Sequence, residues 1–137
     1  MRVDGEVVGA IERGLLVYLG IGVGDTELDV AYIADKLVGL RIFADEAGRM
    51  SRSVQEVGGG VLVVSQFTLF GDVRSGRRPS FDGAAPPANA ERLCDAVVAK
   101  IREKQIAVAT GRFRAMMEVR AAVDGPVTIL IDSKKTF

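Results

Sequence analysis

The order of apolar segments along the chain predicts an α+β domain, in which a mostly antiparallel or mixed β-sheet carries two main helices. Short β-rich runs bounded by glycine alternate with two longer segments whose apolar residues recur at helical spacing. The chain has 137 residues, which is near the usual length of one domain and enough to bury a hydrophobic core. We therefore expect a single domain over residues 1–137.

The first part of the chain predicts two strands and one helix. Residues 6–11 and 14–20 are short, apolar and bounded by glycine, which is typical of the two strands of a hairpin. Thr26 and Asp29 resemble a capping box, and the residues that follow are apolar at helical spacing. An amphipathic helix is therefore expected to begin at this point.

The middle of the chain predicts one buried strand that is approached through a loop. Residues 41–43 have the composition of a brief strand, and residues 45–60, rich in Gly, Ser and charge, predict a surface loop with small extended pieces. Residues 61–64 are continuously apolar and mostly β-branched, which is typical of a central strand buried on both faces. The polar residues that follow should lie at the end of that strand.

The last part of the chain predicts a second helix and two final strands. Residues 71–87 form a loop by composition, and the two prolines at its end are suited to open a helix whose apolar residues recur over residues 90–101. Residues 114–123 and 127–132 predict two strands joined by an Asp-Gly-Pro turn.

Composition excludes several classes of chemistry. Histidine is absent, so Ser-His-Asp and Cys-His catalysis and ordinary zinc chemistry are excluded. Cys94 is the single cysteine and cannot form an internal disulfide, which agrees with a reducing compartment. The 18 basic and 18 acidic residues balance, so binding to nucleic acid would depend on a local basic patch. We expect no metal and no cofactor.

No segment of the sequence predicts a membrane contact or an export signal. No apolar run approaches the ~20 residues of a membrane-spanning helix. The start of the chain also lacks the basic and apolar stretches of a signal peptide. We therefore expect a cytoplasmic protein with no membrane partner.

The first candidate site consists of Ser65, Gln66, Phe67 and Thr68, at the end of the buried strand. Successive side chains of a strand face opposite sides, so Ser65 and Phe67 are expected to face opposite to Gln66 and Thr68. Two interpretations stay open on these residues alone. They supply hydroxyl and amide groups for chemistry, or they satisfy backbone groups at the end of a strand.

Two further segments carry candidate residues. Gly125 and Pro126 form an ordinary hairpin turn or, with a cis peptide bond, a loop that fixes its carbonyl groups toward a partner. Arg74, Arg77 and Arg78 crowd one loop. They bind phosphate by charge and bidentate hydrogen bonds, or they are solvated.

Two of these motifs resemble the paired signatures of the D-aminoacyl-tRNA deacylase family. They are SQFTLF at residues 65–70 and DGPVT at residues 124–128. The similarity extends over almost the whole chain, through VDGEVVGAI at residues 3–11, GLLVYLGIG from residue 14, KLVGLRIFADEAGRMSRSV from residue 36 and RRPSFDGAAPP from residue 77. The family's usual opening strand, of the form Met-Arg-x-Val-x-Gln-Arg-Val, is missing before Val3.

The resemblance implies a fold, an assembly and an activity. The implied fold is a barrel-like sheet with two helices. The implied assembly is a homodimer, in which the cis Gly125-Pro126 loop of one subunit completes the active site of the other. The implied reaction is hydrolysis of the ester of D-aminoacyl-tRNA, and of glycyl-tRNA(Ala), as a proofreading step. Carbonyl groups of the Gly-Pro loop would exclude L side chains by crowding.

The resemblance also assigns roles to residues. The 3′-terminal adenosine of the tRNA and its amino acid would lie beside Ser65, Gln66, Phe67 and Thr68. The remaining substrate-binding positions are Phe113 and Met117, at the adenine, together with Gly125, Pro126 and Thr128.

The chemistry of the reaction needs no histidine. The Phe67 N–H and the Thr68 hydroxyl are expected to stabilise the oxyanion, and the ribose 2′-hydroxyl of the substrate assists the attacking water. A Thr68 nucleophile that forms an acyl-enzyme is the competing mechanism, and the sequence offers no evident base to activate it.

A second hypothesis of a different class is a dimeric nucleic-acid-binding module without catalysis. It would use the arginine loop at residues 74–78, and its binding should depend steeply on salt. The balanced net charge argues against this alternative.

Overall fold

A computed structural model describes the whole chain, residues 1–137, which forms two α-helices and three small sheets. The elements in chain order are β1 (Arg2–Val3), β2 (Glu6–Val7), β3 (Gly14–Leu19), α1 (Glu27–Gly39), β4 (Phe43–Ala44), β5 (Met50–Arg52), β6 (Gly60–Ser65), a 3₁₀ turn (Phe67–Phe70), α2 (Pro87–Arg102) and β7 (Val108–Thr110). The α+β class with two main helices is thus confirmed. The sheets do not close into a barrel, so that expectation is wrong.

The largest sheet is parallel and has the strand order β3-β6-β7. Parallel neighbours need a long crossover connection, and α1 and α2 lie within the two connections. The predicted hairpin of residues 6–11 and 14–20 is therefore wrong, because β2 pairs with β1 and β3 pairs with β6. The two-stranded sheets β1-β2 and β4-β5 are antiparallel. The expectation of a mostly antiparallel or mixed sheet is therefore wrong for the main sheet, which is wholly parallel, and the antiparallel pairs lie outside it.

The central strand β6 is buried on both faces, as its apolar run predicts. Val61 and Val63 face the main core, where they meet residues of α1 and α2. Leu62 and Val64 belong to a second cluster on the opposite face, which includes Val3 of β1. A strand covered on both sides needs no polar alternation, which explains its composition.

Both helices begin where the sequence predicts. Thr26 caps α1 by accepting a hydrogen bond from the Leu28 N–H, and the Asp29 side chain accepts one from the Thr26 N–H at 2.8 Å. Helix α2 has Pro87 in its first turn, where its missing N–H costs nothing. Neither helix is long and apolar enough to cross a membrane.

The C-terminal segment differs most from the sequence prediction. Glu118 and Arg2 exchange two backbone hydrogen bonds of 2.8 and 2.9 Å. Beyond that pair, residues 119–131 make no backbone–backbone hydrogen bond, so the two predicted strands at residues 114–123 and 127–132 are wrong within one chain. Their alternating apolar residues favour extended structure, but a strand requires a neighbour to pair with. The short strand β7 was not predicted.

Candidate active site

The Ser65–Thr68 motif lies at the carboxyl edge of the parallel sheet. Ser65 is the last residue of β6 and stands opposite Leu19, and Val63 stands opposite Thr110, the last residue of β7. The Gln66 N–H donates to the Leu19 carbonyl at 2.8 Å, which fixes the point where the chain leaves the sheet. Three strands therefore position this edge, which is where parallel sheets commonly place binding sites.

A 3₁₀ turn replaces the expected continuation of the strand. The chain turns at Gln66, and the Gly71 N–H closes the turn by donating to the Thr68 carbonyl at 2.9 Å. The prediction that Ser65 and Phe67 face opposite to Gln66 and Thr68 therefore does not apply, because the regular strand ends at Ser65. The turn exposes both Phe67 and Thr68 to solvent.

The Thr68 hydroxyl is held by its neighbour. The Gln66 side-chain amide donates a short hydrogen bond to the Thr68 Oγ1. A hydroxyl that accepts from an amide keeps its own hydrogen for a further acceptor. No carboxylate or amine contacts this hydroxyl within the chain. The Phe67 and Thr68 N–H groups, at the start of the turn, have no hydrogen-bond acceptor within the chain.

The turn is anchored by the ring of Phe70, which packs against glycines. A Cβ built on Gly20 would lie 2.9 Å from the Phe70 Cε2, and one built on Gly22 would lie 3.0 Å from the Phe70 Cε1. A Cβ built on Gly83 would lie 3.5 Å from the Phe70 Cδ1, on the same ring. Since any side chain at Gly20 or Gly22 would displace the ring, these glycines position the 3₁₀ turn. Composition alone did not indicate this role.

A cleft of about 260 Å³ opens beside the motif, between the sheet edge and α2. Ser65 and Phe113 both line it, so the structure brings these two predicted site residues together. Cys94 of α2 also lines the cleft, although the sequence suggested only a buried role. Burial chiefly raises the pKa of the Cys94 thiol to about 11, so it is protonated at neutral pH and is no nucleophile.

Met117 packs against Gly111 but does not line this cleft. A Cβ on Gly111 would stand 2.6 Å from the Met117 sulfur, and Gly111 itself lines the cleft. Met117 instead lines a second, shallow cavity of about 430 Å³, which Arg2 also lines. The two predicted adenine contacts are thus close along the chain but line different cavities.

The Gly125-Pro126 peptide bond is cis, with Gly125 at φ +121°. Both residues are exposed, as is Thr128. No hydrogen bond within the chain joins any of these three residues to the Ser65–Thr68 motif. Within one chain, the two signature motifs therefore remain separate.

The three loop arginines are not equivalent. Arg74 forms a bidentate ion pair with Asp72, with one N–O distance of 2.7 Å, and its hydrogen bonds lower the pKa of Asp72 to about 2. Arg77 and Arg78 are exposed and have no carboxylate partner. The chain has no cluster of three or more carboxylate or thiol groups suited to a metal ion.

The sheet edge combines a hydroxyl that is hydrogen-bonded by its neighbour, two N–H groups without acceptors in the chain and an adjoining cleft. Such a combination is suited to stabilising a polarised carbonyl, as hydrolases of activated esters do. Comparison with known proteins agrees with this class. The model of the family described as D-Tyr-tRNA(Tyr) deacylase matches residues 1–132. The chain belongs to this family, and it is an enzyme, a hydrolase of the D-aminoacyl-tRNA deacylase type.

Individual relatives support the assignment over the full chain. A D-aminoacyl-tRNA deacylase of Sorangium cellulosum is 59% identical over 138 residues, covering 100% of this chain and 92% of the relative. One of Koribacter versatilis is 58% identical over 137 residues, with the same coverage.

Two solved structures share the fold. The structure titled "c-Myc DNA Unwinding Element Binding Protein" has a TM-score of 0.86 at 38% identity, over 93% of this chain and 87% of that one. A structure described as a probable eukaryotic D-amino acid tRNA deacylase has a TM-score of 0.59 at 21% identity, over 69% of this chain and 56% of that one, and it supports the fold alone.

Proposed function

We propose that this protein hydrolyses the ester between a D-amino acid and the 3′-terminal ribose of tRNA, as a chiral proofreading step. The observation that carries the proposal is the Thr68 hydroxyl, which Gln66 holds at the exposed end of the central strand. The Phe67 N–H lies at the start of the same turn. Together these two donors are suited to the oxyanion that forms when water attacks the ester carbonyl.

The proposed reaction uses the substrate as part of the catalyst. Water adds to the carbonyl carbon with assistance from the ribose 2′-hydroxyl, the bond to the 3′ oxygen breaks, and that oxygen takes up the proton. The products are the free D-amino acid and tRNA. A Thr68 nucleophile ranks second, because the only side-chain partner of the hydroxyl is an amide, which is no base.

Two copies are proposed to build the complete site. Gly125 and Pro126 are exposed and form no hydrogen bond with the motif of their own chain, which fits a loop that enters the site of a second copy. Its carbonyl groups would crowd an L side chain, while glycine, which has none, would be accepted, so glycyl-tRNA(Ala) is a proposed second substrate. Thr128 would contact the substrate from the same loop.

The remaining contacts of the tRNA 3′ end are proposed as follows. Phe113 would face the terminal adenine in the cleft beside Ser65, with Met117 behind Gly111. Phosphates of the tRNA would bind to Arg74, Arg77 and Arg78. A cytoplasmic location and a single domain stay predictions.

The test is hydrolysis of D-tyrosyl-tRNA and L-tyrosyl-tRNA by three proteins: the wild type, Thr68→Val and Thr68→Ser. Valine has the shape of threonine without the hydroxyl, so we expect kcat on the D ester to fall by about 10²–10³-fold. Serine keeps the hydroxyl and should retain most of the rate. An unchanged rate in Thr68→Val would exclude the proposed role, and equal cleavage of both esters would exclude chiral proofreading.

One observation favours a second candidate, a non-catalytic dimeric nucleic-acid-binding module. The relative with a TM-score of 0.86 is named for binding a DNA unwinding element. In that case the protein should bind duplex DNA with a steep salt dependence and should cleave neither ester. Thr68→Val should leave its DNA affinity unchanged.

A further inference from the structure

An aromatic pair adjoins the proposed active site, with Phe67 exposed and Phe81 half-buried. The rings of Phe67 and Phe81 meet edge to face, with centroids 5.1 Å apart and an interplanar angle of 72°. The Phe67 side chain is 60% exposed, and the apolar side chains of Leu69 and Val73 are exposed nearby along the chain. Large apolar side chains that are exposed near a polar site are common in binding surfaces.

The position of the Phe81 ring is fixed by the loop that carries it. Asp72 and Ser80 exchange two backbone hydrogen bonds of 2.7 and 2.9 Å, which close the loop at its base. A Cβ built on Gly71 would lie 3.2 Å from the Phe81 Cε1, so the ring packs on the end of the 3₁₀ turn. The pair is therefore preorganised, with one ring on the turn and the other on the loop.

The charge beside the pair is locally positive. Asp72 neutralises Arg74, whereas Arg77 and Arg78, just ahead of Pro79 and Phe81 in the chain, have no carboxylate partner. Asp82, which follows Phe81 in the chain, is exposed and forms no ion pair with either arginine. Both guanidinium groups therefore remain available to phosphates.

We propose that Phe67 and Phe81 form a stacking platform for one unpaired nucleobase of the tRNA 3′ end, and that Arg77 and Arg78 bind the adjacent phosphates. The inference rests on the proposed function, because the RNA reaches this surface when its terminal adenosine lies in the Phe113 cleft. Aromatic faces combined with arginine are the usual means of binding single-stranded RNA without reading its sequence. Phe67 precedes Thr68, so the platform is continuous with the site.

The test compares two substrates that differ in the part that would stack. D-tyrosyl-tRNA carries the further nucleotides, whereas the D-tyrosyl ester of adenosine has none of them. Phe81→Leu should raise KM for D-tyrosyl-tRNA by about 10- to 100-fold with little change in kcat. Hydrolysis of the adenosine ester should be unchanged. Phe81→Tyr keeps the aromatic face and should behave as the wild type.

The arginines are tested by salt dependence. The double variant Arg77→Ala/Arg78→Ala should reduce the slope of log kcat/KM against log salt concentration by roughly 1.4, since each phosphate contact with a single strand contributes about 0.7. Arg49→Ala is the matched control, because Arg49 is also exposed and forms no ion pair but lies between β4 and β5. It should leave the slope unchanged.

Binding of uncharged tRNA, followed by fluorescence anisotropy, separates this inference from the proposed function. Weaker binding by Phe81→Leu in a protein that cleaves neither ester would overturn the proposed function and retain the platform. Unchanged tRNA affinity in Phe81→Leu, or an equal loss on both ester substrates, would overturn the platform. A change of oligomeric state in Phe81→Leu, measured as the mass of the assembly in solution, would also overturn it, by showing that the pair contacts a second copy.

Discussion

The substitution Gly20→Ala tests how the sheet edge holds the active-site turn. Its Cβ would lie 2.9 Å from the Phe70 Cε2 and 3.2 Å from the Gln66 carbonyl oxygen. Carbon atoms approach comfortably to about 3.5 Å, so the ring must withdraw by roughly half an ångström. Overpacking of this kind costs about 1–3 kcal/mol of unfolding free energy. That loss corresponds to about 3 °C in Tm for each kcal/mol in a chain of this length.

The same displacement should slow the reaction. Phe70 ends the turn that carries Phe67 and Thr68, so a shift of its ring moves both proposed oxyanion donors. A misplacement of about 1 Å can cost 10²-fold in rate, and half of that distance suggests a loss of about 10-fold. The assays are urea unfolding and single-turnover hydrolysis of D-tyrosyl-tRNA.

Two further variants make the test specific. Gly39→Ala places the same methyl group in open space at the end of α1, and should leave both readouts unchanged or raise stability by less than about 1 kcal/mol. Adding Phe70→Leu to Gly20→Ala removes the clashing ring edge and should recover part of the lost rate. If Gly20→Ala matches the wild type in stability and rate, the packing of Phe70 on Gly20 does not position the turn.

Three other experiments test the electrostatics and packing of the fold. A hydrogen bond from Lys134 is the largest cause that lowers the pKa of Asp29 to about 2. The resulting stabilisation is complete above pH ~4 and disappears as the pH falls toward 2. Lys134→Met should therefore lower the urea midpoint slightly at pH 7, because solvent screens the pair, and leave it nearly unchanged at pH 2. An equal loss at both pH values would contradict the ion pair. Burial raises the pKa of the Cys94 thiol to about 11, so the thiol should resist a thiol reagent at pH 8 in the folded protein and react with it in urea. Fast labelling without denaturant would show that the thiol is accessible. Leu93 is 0% exposed, so Leu93→Ala should cost about 2–5 kcal/mol in urea unfolding, and a cost below 1 kcal/mol would show that the core closes around the gap.

Local signals in the sequence predicted the elements that depend on neighbouring residues. The capping box at Thr26 and Asp29 marked the start of α1, and the two prolines marked the start of α2. The uninterrupted apolar run of β6 predicted its central place, because only a strand covered on both faces lacks polar alternation. The polar motif after it was correctly placed at the strand end.

Pairing between strands could not be predicted in the same way. The short connection between residues 6–11 and 14–20 resembles a hairpin turn, but the order of strands in a sheet is set by helix crossovers that no short window contains. The strand β7 has three residues, too few for a period to be recognised. The ring of Phe81 against Phe67 joins residues 14 positions apart in the chain, and only the folded loop brings them together.

The unpaired backbone of residues 119–131 has a consequence for handling the protein. Amide hydrogens without acceptors in the chain exchange rapidly with solvent unless another surface covers them. Residues 127–131 read Val-Thr-Ile-Leu-Ile, carry no charge, and include Leu130 at 72% exposure. An uncharged β-rich stretch with free backbone groups is a template for uncontrolled strand addition. The protein should therefore precipitate more readily as its concentration rises, and Leu130→Lys should reduce this precipitation.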